Sequence, residues 1–236
     1  MNICTIPITL DDGREIALAV RRSSRAKRVI LNVNTNTGTV EIVLPKIATI
    51  DTGEKFALSQ KHWISMQLAR VRPPIPFAQG ETFPLLGEKI TIQLAEGYGI
   101  LPILEKDRLF VSGSGVNIND KVLRWCKAKA LREIEPRALD MSRKLSRTPN
   151  RIAIRDTKSR WGSCSSAGNL NFSWRIVMAP EWVFNYVIAH EVSHLRELNH
   201  SSKFWGFVKQ LNPHTNPARK WLRANGKKLH QYGIVK

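Results

Sequence analysis

Cysteine is scarce in this 236-residue chain: it occurs only at Cys4, Cys126 and Cys164, widely spaced and with no CxxC pair. That count excludes a disulfide framework and a cysteine-based zinc knuckle, and it makes a reducing, cytoplasmic compartment the expectation. Long apolar runs are missing too, since no stretch reaches the roughly eighteen residues of a membrane span. The opening MNICTIPITLDDGREI has no basic n-region and is interrupted by Asp11 and Asp12, so neither a membrane segment nor an export signal is expected. Internal repeats, low-complexity tracts and a GxxxxGK[ST] phosphate loop are all lacking. Acidic residues are few, 19 against 37 Lys and Arg, for a formal net charge of +18. Residues 1–116 carry 14 basic and 11 acidic side chains and residues 117–236 carry 23 and 8, so the halves differ as +3 and +15. Such a field favours nucleotides or nucleic acid as partners, the alternative being a solubilising surface.

What is present is enough chain for one large domain or two modest ones, and the patterning predicts an α+β fold. Short β-branched runs at Ile3–Leu10, Glu15–Val20, Arg28–Val33 and Thr39–Leu44 read as strands, with turns at Asp12-Gly13 and Thr37-Gly38. One helix is expected from Ile50 to Arg70, then strands at Thr82–Leu86, Lys89–Ala95 and Arg108–Ser112 separated by Gly87, Gly97 and Gly99. The Gly113-Ser114-Gly115 run suggests a boundary, giving a β-rich region 1–115 and a mainly helical domain 116–236 with a small sheet. In the second part a helix is predicted from Asp120 to about Leu145, kinked or split at Pro136. Strands at 151–155 and 169–174 flank a polar loop, and helices are expected at 180–198, 202–211 and 216–230.

The residues that carry chemistry are His190-Glu191-Val192-Ser193-His194, an HExxH segment in a helical context. One turn apart, the two imidazoles face the same way and can share an ion, while Glu191 lies about a quarter turn aside, beside the metal and not on it. A catalytic zinc lowers the pKa of its water towards about 7, and Glu191 then serves as general base. A third ligand is needed. Glu197, on a continuous helix, would sit about 10 Å further along the axis, too far to meet the same ion. His200 follows Asn199, a helix terminator, and precedes Ser201 and Ser202, good N-caps, so a turn there can point it back. His190, His194 and His200 are therefore the expected zinc ligands.

The stretch RDTKSRWGSCSSAGNLNFSWRIVMAPEWVFNYVIAHEVSHLRELNHSSKFW, residues 155–205, resembles the YgjP-like metallopeptidases, a bacterial family related to the SprT-like and WLM zinc peptidases. The likeness is specific over the last half of the chain and general before it. It implies a zincin-like fold with the same three histidines as ligands and Glu191 as base. The family pattern includes Arg160-Trp161-Gly162-Ser163-Cys164 at the cleft rim, where Arg160 and Ser163 position substrate or merely form a structural turn. His214 stands where the family often carries an acidic or aromatic residue; it is a candidate for stabilising a charged intermediate, the alternative being a surface residue. Cys164 has no histidine partner and is expected to be inert.

The function expected is that of a zinc-dependent metallohydrolase, a metallopeptidase acting on unstructured protein or peptide. Two alternatives come with the resemblance and the charge. One is a metal-dependent nucleoside triphosphate pyrophosphatase; the other is a SprT-like protease acting on DNA-bound proteins.

Overall fold

The computed structural model describes residues 4–34, 37–71, 73–95, 101–113, 117–157 and 159–234. Two compact units result, residues 1–74 and 75–236. The boundary expected at 115/116, together with Gly97 and Gly99, lies outside the described residues. Residues 75–113, grouped above with the β-rich beginning, contribute Phe77, Phe83, Leu85, Ile90, Ile92, Leu109 and Val111 to the core of the second unit.

In the first unit, strands β1 (Cys4–Thr9), β2 (Glu15–Ser23), β3 (Ile30–Val33) and β4 (Val40–Pro45) form a sheet in the order β1-β2-β4-β3. The β2–β4 pair is parallel and its flanking pairs are antiparallel. At the expected turn the Leu10 N–H donates to the Arg14 carbonyl across Gly13, whose φ of 80° a side chain would strain. The single helix expected over 50–70 is two, α1 (Ile50–Ser59) and α2 (Lys61–Leu68), separated by Gln60 with φ −108° and ψ 16°. Thr49 caps α1 by accepting from the Thr52 N–H. Leu18, Ile42, Leu44, Ala57 and Ile64 are fully buried and close a core of their own.

The second unit begins with β5 (Thr82–Leu85), β6 (Glu88–Leu94), β7 (Ile103–Glu105) and β8 (Arg108–Val111). Their order is β5-β6-β8-β7, with the central pair again parallel, so a topology recurs that no sequence repeat announces. Strand β7 is three residues long, too short for an alternation to show. Helix α3 (Ile118–Lys144) follows and buries Val122, Cys126, Ala130, Ile134 and Ala138, a stripe at four-residue spacing. Pro136 does not split it. The proline is exposed, and buried Ile134 and Ala138 on either side anchor the continuous helix in the core.

A three-stranded sheet in the order β10-β11-β9 comes next, built from β9 (Arg151–Arg155), β10 (Gly162–Cys164) and β11 (Asn169–Ser173). The segment expected as a polar loop thus contains an edge strand. A 3-10 turn at Trp174–Met178 leads to α4 (Glu181–Ser193), α5 (Ser202–Leu211) and α6 (Thr215–Leu229). Arg137 joins α3 to α4 by pairing with Glu133 and, at 2.8 Å, with Glu181, an acidic residue where the N-terminal dipole of α4 favours one.

Candidate active site

Helix α4 is apolar on nearly every side, with Val183, Phe184, Val187, Ile188, Ala189 and Val192 buried, as a helix at the centre of a core should be. Its polar exceptions are Glu181 at the first turn, Asn185, His190, Glu191 and Ser193. Ser193 is accounted for locally, its hydroxyl donating to the Ala189 carbonyl at 2.7 Å.

The helix ends at Ser193, five residues earlier than the periodicity predicted. The amides of His194, Leu195 and Arg196 reach back only three residues, to the carbonyls of Glu191, Val192 and Ser193, which tightens the last turn. The chain then reverses until Ser201 caps α5 by accepting from the Phe204 N–H. This turn places His200 beside the α4 pair. One ring nitrogen from each of His190, His194 and His200 lies within 4.8 Å of the others, and no further histidine, cysteine or carboxylate joins them among the described residues. Glu197 stays out: it contributes its backbone carbonyl, 3.0 Å from His194 Nδ1. A carbonyl can only accept, so His194 carries its proton on Nδ1 and offers a lone pair on Nε2.

This donor set fits a metal ion. His190 Nε2 and His200 Nε2 are 3.2 Å apart, and tetrahedral zinc with bonds near 2.05 Å would space its ligands by about 3.3 Å. Burial, reinforced by His194, His200 and Arg219, pushes His190 down to about 3, so its imidazole is neutral. Phe204 is fully buried under the cluster with ring centroids 4.4, 4.9 and 4.7 Å from His194, His190 and His200. Trp205 lies beside His200 at 5.7 Å, and the Arg219 guanidinium sits 4.6 Å above the Trp205 ring. The sequence reading missed both aromatic residues.

Glu191 is buried, and that burial pushes its carboxyl up to about 8 against the pull of the Arg160 guanidinium. Its immediate neighbour is the start of the edge strand. A Cβ at Gly162 would fall 2.7 Å from both Glu191 Cδ and Oε1, so only glycine lets β10 pass this close. A cavity of about 240 Å³ opens there, lined by Arg160, Gly162, Tyr186, His190, Glu191 and Leu222. The Tyr186 hydroxyl lies 3.5 Å from His190 Nδ1. Gly162 is the functional position that periodicity could not reveal, because its partner is distant in sequence.

Of the remaining candidates, Arg160 lines this cavity, with its carbonyl held by the Thr157 hydroxyl at 2.8 Å. Ser163 is in the middle of β10, paired with Asn171. His214 sits at the start of α6 with its ring 6.5 Å from Trp182, outside the histidine cluster. Burial, with the charge of Glu191, raises the Cys164 thiol to about 11, which does not favour a nucleophilic thiolate. Trp161 stacks on His230 at 4.9 Å, and its ring occupies the space a side chain at Gly226 would need.

Two helix-borne imidazoles, a third returned by a turn and a sheltered carboxylate at an edge strand are the parts from which metallohydrolases are built. Comparison with known families narrows that class: the model described as YgjP-like, metallopeptidase domain, matches residues 27–225. The chain belongs to this family of metallopeptidases, and the match extends across parts of both units. No curated protein matches the chain. A solved structure, the metallopeptidase zymogen of Pyrococcus abyssi abylysin, is 23% identical over 43% of this chain and 99% of its own, with a TM-score of 0.35, too slight a likeness to say more.

Proposed function

We propose that the chain is a zinc-dependent peptidase in which His190, His194 and His200 hold the ion and Glu191 is the general base. The observation that carries this reading is the convergence of three ring nitrogens beside a buried carboxylate. When bound, zinc supplies a Lewis acid for the scissile carbonyl and the attacking water. His190, His194 and His200 would hold the ion through ring-nitrogen lone pairs, and beside that charge Glu191 would be held ionised despite its burial. A carboxylate oxygen of Glu191 takes the proton of the attacking water and delivers it to the amine nitrogen as the C–N bond breaks. The β10 edge can hold an extended peptide by backbone hydrogen bonds, with Ser163 at its centre and Arg160 at its entrance.

The three free cysteines support a cytoplasmic setting as part of this proposal. No helix among the described residues is long and apolar enough to cross a membrane. The basic excess of residues 117–236 supports a second reading, hydrolysis of a nucleoside triphosphate or contact with nucleic acid near the cleft. The test is casein and nucleoside triphosphate hydrolysis by the wild type and by Glu191→Gln, with zinc content measured in both and in His200→Ala. We expect casein cleavage, lost by about 10²–10⁴-fold in Glu191→Gln with zinc retained, and loss of zinc in His200→Ala. Triphosphate hydrolysis without proteolysis establishes the second reading; activity independent of Glu191 discards both.

A further inference from the structure

Strand β10 connects the cavity at Glu191 to another one. Gly162, its first residue, lines the first cavity, and the turn after its last residue lines a second of about 380 Å³ that also has His194 in its wall. That turn is held firmly. The Gly168 N–H donates to the Ser165 carbonyl at 2.9 Å, the Ser165 N–H to the Asn169 carbonyl at 3.0 Å, and Asn150 Nδ2 to the Ala167 carbonyl at 2.9 Å. At about 3.3 Å per strand residue, Gly162 and Ser165 are about 10 Å apart along the strand. An extended peptide lying on β10, with its scissile bond beside Glu191, therefore brings a side chain some three residues away to the second cavity.

The second cavity has a distinct chemistry. Arg147 and Arg196 are its charged walls, Asn150, Ser165 and Ser166 supply neutral polar groups, and no acidic residue lines it among the described residues. Neither arginine has a carboxylate partner among those residues, whereas Arg137 has two. The Arg196 guanidinium lies 5.7 Å from the Phe207 ring, a cation–π contact that steadies it beside the cavity. Two guanidinium groups without carboxylate partners, in a cavity that also presents hydroxyl and amide groups, complement a carboxylate.

We propose that this cavity is a specificity subsite for an acidic side chain, Asp or Glu, of the substrate, with Arg147 and Arg196 as its reading residues. The proposal rests on the peptidase reading above and deepens it. The test uses quenched-fluorescent peptides in which Glu, Gln or Lys is scanned along the sequence. At one position two to four residues from the cleaved bond, Glu should exceed Gln by about tenfold in kcat/KM, chiefly through KM. In the double variant Arg147→Gln/Arg196→Gln that ratio should fall to about one, and Arg196→Glu should turn the preference towards Lys, which loss of structure would not do. Equal cleavage of Glu and Gln peptides at every position, or a preference that survives both variants, overturns the subsite. So does a preference abolished by C-terminal amidation, which would assign the cavity to the chain terminus. Fluorescence anisotropy of the same peptides on Glu191→Gln separates the two claims. Selective binding of the Glu peptide, lost in the arginine variants, upholds the subsite even where nothing is cleaved, and that outcome overturns the peptidase reading alone; equal binding discards the subsite.

Discussion

The sheets β1-β2-β4-β3 and β5-β6-β8-β7 share strand order and the same sequence of antiparallel, parallel and antiparallel pairing. Their surroundings differ. The first is closed by two short helices around a core that holds no site residue, and the second merges into the core that also receives α3 and α4. One topology thus serves once as a self-contained small unit and once as part of the core shared with the histidine-bearing helix, so arrangement of strands says nothing about chemistry. What separates them is the partner helix each strand face is given.

Matched core lesions test that contrast most strongly. Phe172 and Leu18 are both fully buried, Phe172 in the second core and Leu18 in the first. Phe172→Ala should cost about 3–5 kcal/mol and Leu18→Ala about 2–5 kcal/mol. Only Phe172→Ala should reduce the zinc content of the purified protein, because Phe172 pairs with Gly162 behind Glu191. Equal zinc loss in Leu18→Ala, read by atomic emission, would break the contrast.

A smaller effect comes from two glycines required for different reasons. Gly162→Ala drives a methyl group into the Glu191 carboxylate and should lower kcat about tenfold or more. Gly13→Ala meets no atom within 4 Å and is strained only by its φ of 80°, so it should cost about 1 kcal/mol of stability with kcat unchanged. Steady-state kinetics beside thermal melts distinguish the two.

The smallest effect is a pH dependence that Glu133 contributes in the second unit. Burial tends to raise Glu133, but its bonds to Lys129 and Arg137 outweigh that and hold its carboxyl below the ordinary 4.5. A carboxyl lowered in the folded state stabilises above its unfolded pKa, and the contribution is lost as pH falls through the lower folded value. Denaturant midpoints followed from about pH 6 to pH 3 should fall less in Glu133→Gln than in the wild type, by under about 1 kcal/mol for a partly exposed network.

Much of the site was legible because its signals are local. The spacing of His190 and His194 and the cap at Ser201 are readable within a dozen residues; the helix stops at Ser193 and not at Asn199, so Glu197 lies outside the histidine cluster because the chain turns there and not because a continuous helix carries it away. Most strands were found by their β-branched alternation. What escaped depends on contacts far apart in sequence: Gly162 against Glu191, Phe204 under three imidazoles, and the strands of residues 82–111 packing with the second unit. Pro136 escaped for the opposite reason, since a strong local rule yields when the ring faces water and its neighbours are buried. The early end of α4 follows from closing the turn that returns His200, which periodicity in an all-apolar helix cannot signal.

The turn from Leu195 to Asn199 has a consequence for how this protein can vary. Glu197 meets the site through its carbonyl, while its carboxylate accepts from the Asn199 N–H at 3.4 Å within the same turn. The turn's length is what the site depends on. Adding or removing one residue would rotate the carbonyl away from His194 Nδ1 and displace His200 together, uncoupling the proton position of one ligand and the location of another in a single step. The segment works as a ruler, intolerant of insertion.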